Sequence, residues 1–243
     1  MKTILVRHGH CLHNQKSADG QRIGEALYEH GNDDILGLTQ AGIDETVRLA
    51  GKIADYLKAN GGFPHHIEFI RSPSLRTLQT TSLLKSTLVR RHGCTSAFFA
   101  DCVNVLLREI PSDEPITEDV PVSYLFDART RINYDLFKAD PDYSWWGTSY
   151  RAELCARLSM HRSFHPTTLG CQPIVVGHHY SLGVLMCSFA VHHLKLKLTD
   201  KLVRFFHNLY IEHGRLYLME DVVDPDTDPI GLMRFLNEEN PST

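Results

Sequence analysis

The sequence predicts an α/β fold: a three-layer sandwich with a mainly parallel central sheet, helices on both faces and an inserted lid. Three observations carry this. Short apolar-rich runs, "TILV" at 3–6, "HIEFI" at 66–70 and "QPIVV" at 172–176, read as strands. Segments with apolar residues at three- and four-residue steps separate them, the pattern of helices laid on a parallel sheet. A long, acidic, proline-containing stretch then interrupts the rhythm after the third strand, as an insertion does.

The elements follow in order. "TILV" is a fully buried strand, and residues 10 to 37 are polar and Gly-containing, a long surface connection. Thr39 caps a helix whose apolar positions Ile43, Val47, Ala50, Ala54 and Leu57 form one stripe toward the sheet. After "HIEFI", Ser72 is the expected N-cap of the next helix and Pro73 its first residue, so Arg76 falls in the first turn. A third strand is expected near "TSAFFADC", and the lid over 108–148 runs from "REIPSDE" to "DYSWWG". A helix from about Ser149 turns Leu154 and Leu158 inward; "QPIVV" is the fourth strand, ending at Gly177, His178 and His179, and "SLGVLMCSFAV" is a buried helix. Alternation about His213 and Gly214 predicts a hairpin. "HHLKLKL" at 192–198 suits an edge strand or a helix-end connection, where a dimer edge could form, and the acidic tail from about Asp224 is expected to be loosely held. At 243 residues the chain is read as a single domain over 1–243.

Composition narrows the function classes. With 25 basic and 29 acidic side chains, a formal charge of −4, there is no general footprint for nucleic acid or an anionic membrane. Six cysteines show no C-x-x-C spacing and no signal segment precedes them, which suggests reduced thiols in a cytoplasmic protein. No run approaches the roughly 20 apolar residues of a membrane span. "HGHCLH" offers His8, His10, Cys11 and His13, but their spacing is wrong for a compact metal site, and Arg7 and Arg76 would repel a cation. No metal or cofactor is expected.

In an open parallel sheet, ligands bind outside the carboxyl ends of the strands. His8 follows the first strand, Arg76 opens the helix after the second, Glu109 comes shortly after the third and His178 follows the fourth. Four segments therefore deliver polar groups to one edge. Arg7 and Arg76 near a helix N-terminus suit a phosphate dianion, because guanidinium forks match its oxygens. Neighbouring arginines disfavour a proton on His8 and would help keep its imidazole neutral.

In sequence order, "LVRHG", "GLTQAG", "SPSLRTLQT", "LLRE", "GTSYRAELCAR", "VVGHH" and a late Asn208 resemble the histidine phosphatase (phosphoglycerate mutase-like) superfamily over nearly the whole chain. The resemblance implies that His8 becomes phosphohistidine and that Arg7, Arg76 and His178 hold the phosphoryl oxygens. It adds Asn14 and His179 to the phosphate-binding set and makes Glu109 the general acid. His10 departs from the usual Glu or Gln, and His179 from the glycine common in mutases. The extended mutase pattern is missing around "REIPSDE", which favours a phosphatase over a phosphoglycerate-mutase-type phosphotransferase, and the presence of all the core catalytic positions speaks against an inactive phosphate-binding module. The expected partner is a phosphorylated small molecule or a phosphoprotein. Alone, each residue has a plainer reading: His8 as a bonded strand-end histidine, Glu109 as a solvated lid carboxylate beside Asp113 and Glu114, Asn14 as a turn residue. Trp145, Trp146 and Tyr150 either stack on a substrate or anchor the lid.

Overall fold

The computed structural model describes residues 3–16, 36–96, 98–104, 107, 171–192 and 211–219. The expected lid, Glu109, Trp145, Trp146, Tyr150, the helix from Ser149, Asn208, the 193–198 stretch and the acidic tail lie outside these residues. Among the described residues, nine elements follow in chain order: β1 (Thr3–Arg7), a 3₁₀ turn (Leu12–Asn14), α1 (Gln40–Ala59), β2 (His66–Arg71), α2 (Leu75–His92), β3 (Phe98–Val103), β4 (Cys171–Gly177), α3 (His179–His192) and β5 (Leu216–Met219).

The strands form one sheet in the order β3-β2-β4-β1-β5. Its pairs are parallel except the last, in which β5 runs antiparallel to β1. The fold is thus the expected α/β sandwich with a mainly parallel sheet. β1 and β4, central and fully buried, carry the apolar runs read from the sequence. β3 is an edge among the described residues and correspondingly more exposed.

Side chains alternate across the strands. Ile4, Val6, Ile67, Phe69, Ile174, Val176, Leu216 and Leu218 face α1 and α2, where Leu49, Ile53, Leu57, Leu84 and Leu88 complete one core. The intervening Leu5, Ile70, Val175 and Tyr217 are buried too, and α3 packs on β1. From Leu182 to Ala190 α3 is buried almost all round, as its continuous apolar sequence requires.

Two helix starts refine the sequence reading. Thr39 is the N-cap of α1, its side-chain oxygen accepting from the Gly42 N–H at 3.2 Å. The buried face, however, is Gly42, Thr46, Leu49, Ala50, Ile53, Ala54 and Leu57, while Ile43 and Val47 are only half-buried. The first two turns press on the chain after β1, and a Cβ on Gly42 would lie 2.0 Å from the His10 carbonyl oxygen. Small residues therefore take the inward positions there. For α2 the N-cap is Ser74 rather than Ser72, and the helix begins at Leu75. Ser72 instead uses its hydroxyl oxygen to accept the Ser74 N–H at 3.3 Å, a turn that delays the helix by two residues. Arg76 still falls in the first turn.

Candidate active site

Strand register decides which side chains meet. Arg7 pairs with Gly177 at the ends of β1 and β4, and the next residues, His8 and His178, leave the sheet side by side. The His8 N–H donates to the Gly177 carbonyl at 3.1 Å. On the other side of β4, the Ser72 N–H donates to the Val176 carbonyl at 3.2 Å, so the start of α2 is held at the same edge. The β5 turn, with Gly214 at φ 68°, comes up against the end of β1 from the opposite flank.

The result is a buried polar cluster. His8 is 3% exposed, Arg76 3%, His178 0% and Arg7 9%. The rings of His8 and His178 meet edge-on at 4.9 Å between centroids, and those of His8 and His213 lie 5.1 Å apart. His8 Nδ1 lies 2.8 Å from the Gly9 carbonyl oxygen. A carbonyl only accepts, so the proton sits on Nδ1 and a neutral His8 keeps its lone pair on Nε2. Burial holds the His8 pKa well below 6.5, and the proximity of His178, Arg76, His213 and Arg7 pushes it the same way, since a proton on His8 would meet their positive or protonatable groups. Burial, more than the arginines named from the sequence, keeps this ring neutral.

Arg76 Nε donates to His178 Nδ1 at 3.3 Å, and His178 Nε2 lies 2.9 Å from Ser72 Oγ. A neutral His178 therefore carries its proton on Nε2 and gives it to Ser72. For the ring to donate to any further acceptor it has to exchange partners, because its Nε2–H is spent on Ser72 and its Nδ1 faces the Arg76 Nε–H. Arg7 spends one terminal N–H on the Ile211 carbonyl at 2.7 Å, which ties the end of β1 to the segment before β5.

The remaining sequence candidates are placed as follows. Asn14 closes the 3₁₀ turn, with Oδ1 accepting from the Cys11 thiol at 3.1 Å. His179 is the first residue of α3, and its Nδ1 accepts the Ile211 N–H at 3.2 Å. The structure thus brings His8, Arg7, Arg76 and His178 into one network, and turns the bonded atoms of Asn14 and His179 toward Cys11 and Ile211. Glu109 falls outside the described residues.

Four participants escaped the sequence reading. Ser72 was legible only as a cap, His213 only as a turn residue, and Thr80 and Glu45 as ordinary helix positions. The Gly9 N–H donates to Thr80 Oγ1 at 3.2 Å and the His10 N–H to Glu45 Oε2 at 2.9 Å. The one available signal was periodic: Thr80 stands four residues after Arg76, on the same face of α2. Among the described residues, no group of three or more His, Cys, Asp or Glu is arranged to hold a metal ion, and no helix is long and apolar enough to cross a membrane.

Neither a family model nor a curated protein matches the sequence. Solved structures do. The chain is similar to a candidate alpha-ribazole-5'-phosphate phosphatase from Escherichia coli, at 14% identity over 90% of both chains with a TM-score of 0.50. It also matches the alpha-ribazole phosphatase from Shigella flexneri, at 17% identity over 90% of both chains and a TM-score of 0.48. A phosphoserine phosphatase mutant from Entamoeba histolytica in complex with phosphoserine matches at 16% identity over 89% of both chains, with a TM-score of 0.44. At such identities what is shared is the fold, and it agrees with the order of motifs in the sequence: the chain has the fold of the histidine phosphatase superfamily.

Proposed function

We propose that the protein is a phosphomonoester hydrolase that works through a phosphohistidine on His8. The observation that carries this reading is the His8 ring: buried, neutral, protonated on Nδ1, and held beside Arg76 and His178. That leaves Nε2 as the nucleophile in a setting with enough positive charge to draw in a dianion.

In the first half-reaction the Nε2 lone pair forms a bond to phosphorus as the P–O bond to the substrate alcohol breaks. Arg7, Arg76 and, after exchange of partners, His178 stabilise the phosphoryl oxygens. Asn14 and His179 join them if they turn from Cys11 and Ile211. Glu109, delivered by the proposed lid over 108–148, gives its proton to the departing oxygen. In the second half-reaction water attacks phosphorus, the P–N bond breaks, and the Glu109 carboxylate takes the water's proton. No metal takes part, since cationic side chains already meet the phosphoryl charge. The substrate is a phosphorylated small molecule or phosphoprotein, met in the cytoplasm by a single domain with its lid.

The leaving group separates acid from anion site. Glu109→Gln should slow hydrolysis of an alkyl phosphate far more than of p-nitrophenyl phosphate, whose phenolate departs without a proton. Equal slowing, or none, would move the acid elsewhere, with Asp113 and Glu114 next to be tested.

A further inference from the structure

We propose that His213 and Thr80 are positioning residues that hold the nucleophile by the peptide bond immediately after it. This rests on the reading of His8 as the nucleophile. The His8–Gly9 peptide has two polar groups, and each is taken by a side chain from a different element. Its carbonyl oxygen accepts from His213 Nδ1 at 2.5 Å, from the turn before β5. Since the carbonyl has no proton to give, His213 must carry one on Nδ1. Its N–H donates to Thr80 Oγ1 at 3.2 Å, and the Thr80 hydroxyl passes its own proton to the Arg76 carbonyl at 2.8 Å.

The next peptide is treated in the same way. The Gly9 carbonyl accepts from His8 Nδ1 at 2.8 Å, and the His10 N–H donates to Glu45 Oε2 at 2.9 Å. Gly9 itself has no room for a side chain, because a Cβ there would lie 2.4 Å from the Gly42 carbonyl oxygen and 2.8 Å from Thr46 Oγ1. Glycine has the most backbone freedom, so the residue itself does nothing to fix the chain that follows the nucleophile. Side chains from α1, α2 and the β5 turn oppose that freedom.

The clamp has a chemical consequence. The direction of the Gly9 carbonyl decides that His8 keeps its proton on Nδ1, and hence that the lone pair on Nε2 points to the reacting phosphorus. If the His8–Gly9 peptide rotates, ψ of His8 and φ of Gly9 change, the Gly9 carbonyl of the following peptide is carried out of line with Nδ1, and the ring loses both its tautomer and its aim. Thr80 also ties the same peptide to Arg76, so nucleophile and guanidinium move as one unit.

Four variants test this. His213→Phe keeps a ring and removes the N–H, while His213→Asn keeps a donor close to the Nδ1 position. Thr80→Val keeps the shape and removes the hydroxyl, while Thr80→Ser restores it. For folded protein, His213→Phe and Thr80→Val are each expected to lose kcat, on the order of 10²-fold, with KM changed less than about threefold, as for a nucleophile displaced by about 1 Å. The His213→Asn and Thr80→Ser variants should recover most of that loss. Nitrogen-15 NMR of the His8 ring gives a readout independent of turnover: Nδ1–H in the wild type, His213→Asn and Thr80→Ser, and a tautomer mixture in His213→Phe and Thr80→Val. A wild-type tautomer and kcat in folded His213→Phe and Thr80→Val would overturn the proposal, and so would losses that His213→Asn and Thr80→Ser share. If one of the two disruptive variants fails to fold, the other decides. Absence of a phosphoryl label on wild-type His8 would instead defeat the nucleophile assignment, and the NMR tautomers would still decide whether the clamp exists.

Discussion

Arg76 Nε and His178 Nδ1 face each other across 3.3 Å, and this bond puts the proton of a neutral His178 on Nε2. It links the first turn of α2 to the end of β4, two segments that are far apart in sequence and meet because β2 and β4 are neighbours. A lysine could supply the charge of Arg76 but neither its Nε–H nor its planar fork. Arg76→Lys should therefore lower kcat/KM by about 10²-fold or more, a loss in the range of other transition-state charge stabilisers. The loss should be alike for alkyl phosphates and p-nitrophenyl phosphate, since the phosphoryl oxygens are common to both. A loss confined to one substrate class would place Arg76 at the leaving group instead.

Ser72 lies on the other side of the same ring. Its Oγ accepts from His178 Nε2 at 2.9 Å, with Ser74 Oγ more distant at 3.4 Å. Ser72→Ala leaves a fully buried N–H with only the longer contact, so urea denaturation should show a loss of about 1–3 kcal/mol, toward the lower end if Ser74 takes over. Unchanged stability would contradict a structural role for the Ser72 bond, with the Ser74 Oγ contact replacing it in full.

The histidines also make stability depend on pH. Burial, with Arg7 as the next cause, lowers the His213 pKa from 6.5 to about 3, although its bond to His8 pulls the other way. His8 is shifted in the same direction. Above pH 6.5 both rings are neutral whether the chain is folded or not, and they contribute no slope. As the pH falls from 6.5 toward about 3, the unfolded chain binds protons that the native state refuses, so stability must fall. The urea midpoint should drop between about pH 7 and about pH 5, and His213→Asn should make that dependence shallower. An unaltered slope in His213→Asn would show that His213 titrates normally in the folded protein.

The central strands were legible because burial on both faces leaves an apolar run with little ambiguity, and "TILV" and "QPIVV" became β1 and β4 with a residue or two added at their ends. The residues at their ends were legible for the same reason: Arg7 and His178 interrupt such runs, and polar groups there have to face a site. What could not be read is what packing alone decides. Thr46 and Gly42 line the inner face of α1 because the chain after β1 comes too close for the larger Ile43 and Val47. Ser72 looks like a cap until β4 brings His178 to it, and His213 looks like a turn residue until β5 pairs with β1. Long-range register assembles both contacts, and no local pattern encodes it.

The covalent state of one nitrogen, His8 Nε2, is the most direct test of catalysis through a phosphohistidine. Rapid quenching of the protein with a phosphorus-32-labelled phosphomonoester, followed by peptide mapping, should find an acid-labile, base-stable phosphoryl group on His8. That label should vanish together with turnover in His8→Ala. Label on any other residue, or a His8→Ala variant that turns over at the wild-type rate, would contradict it.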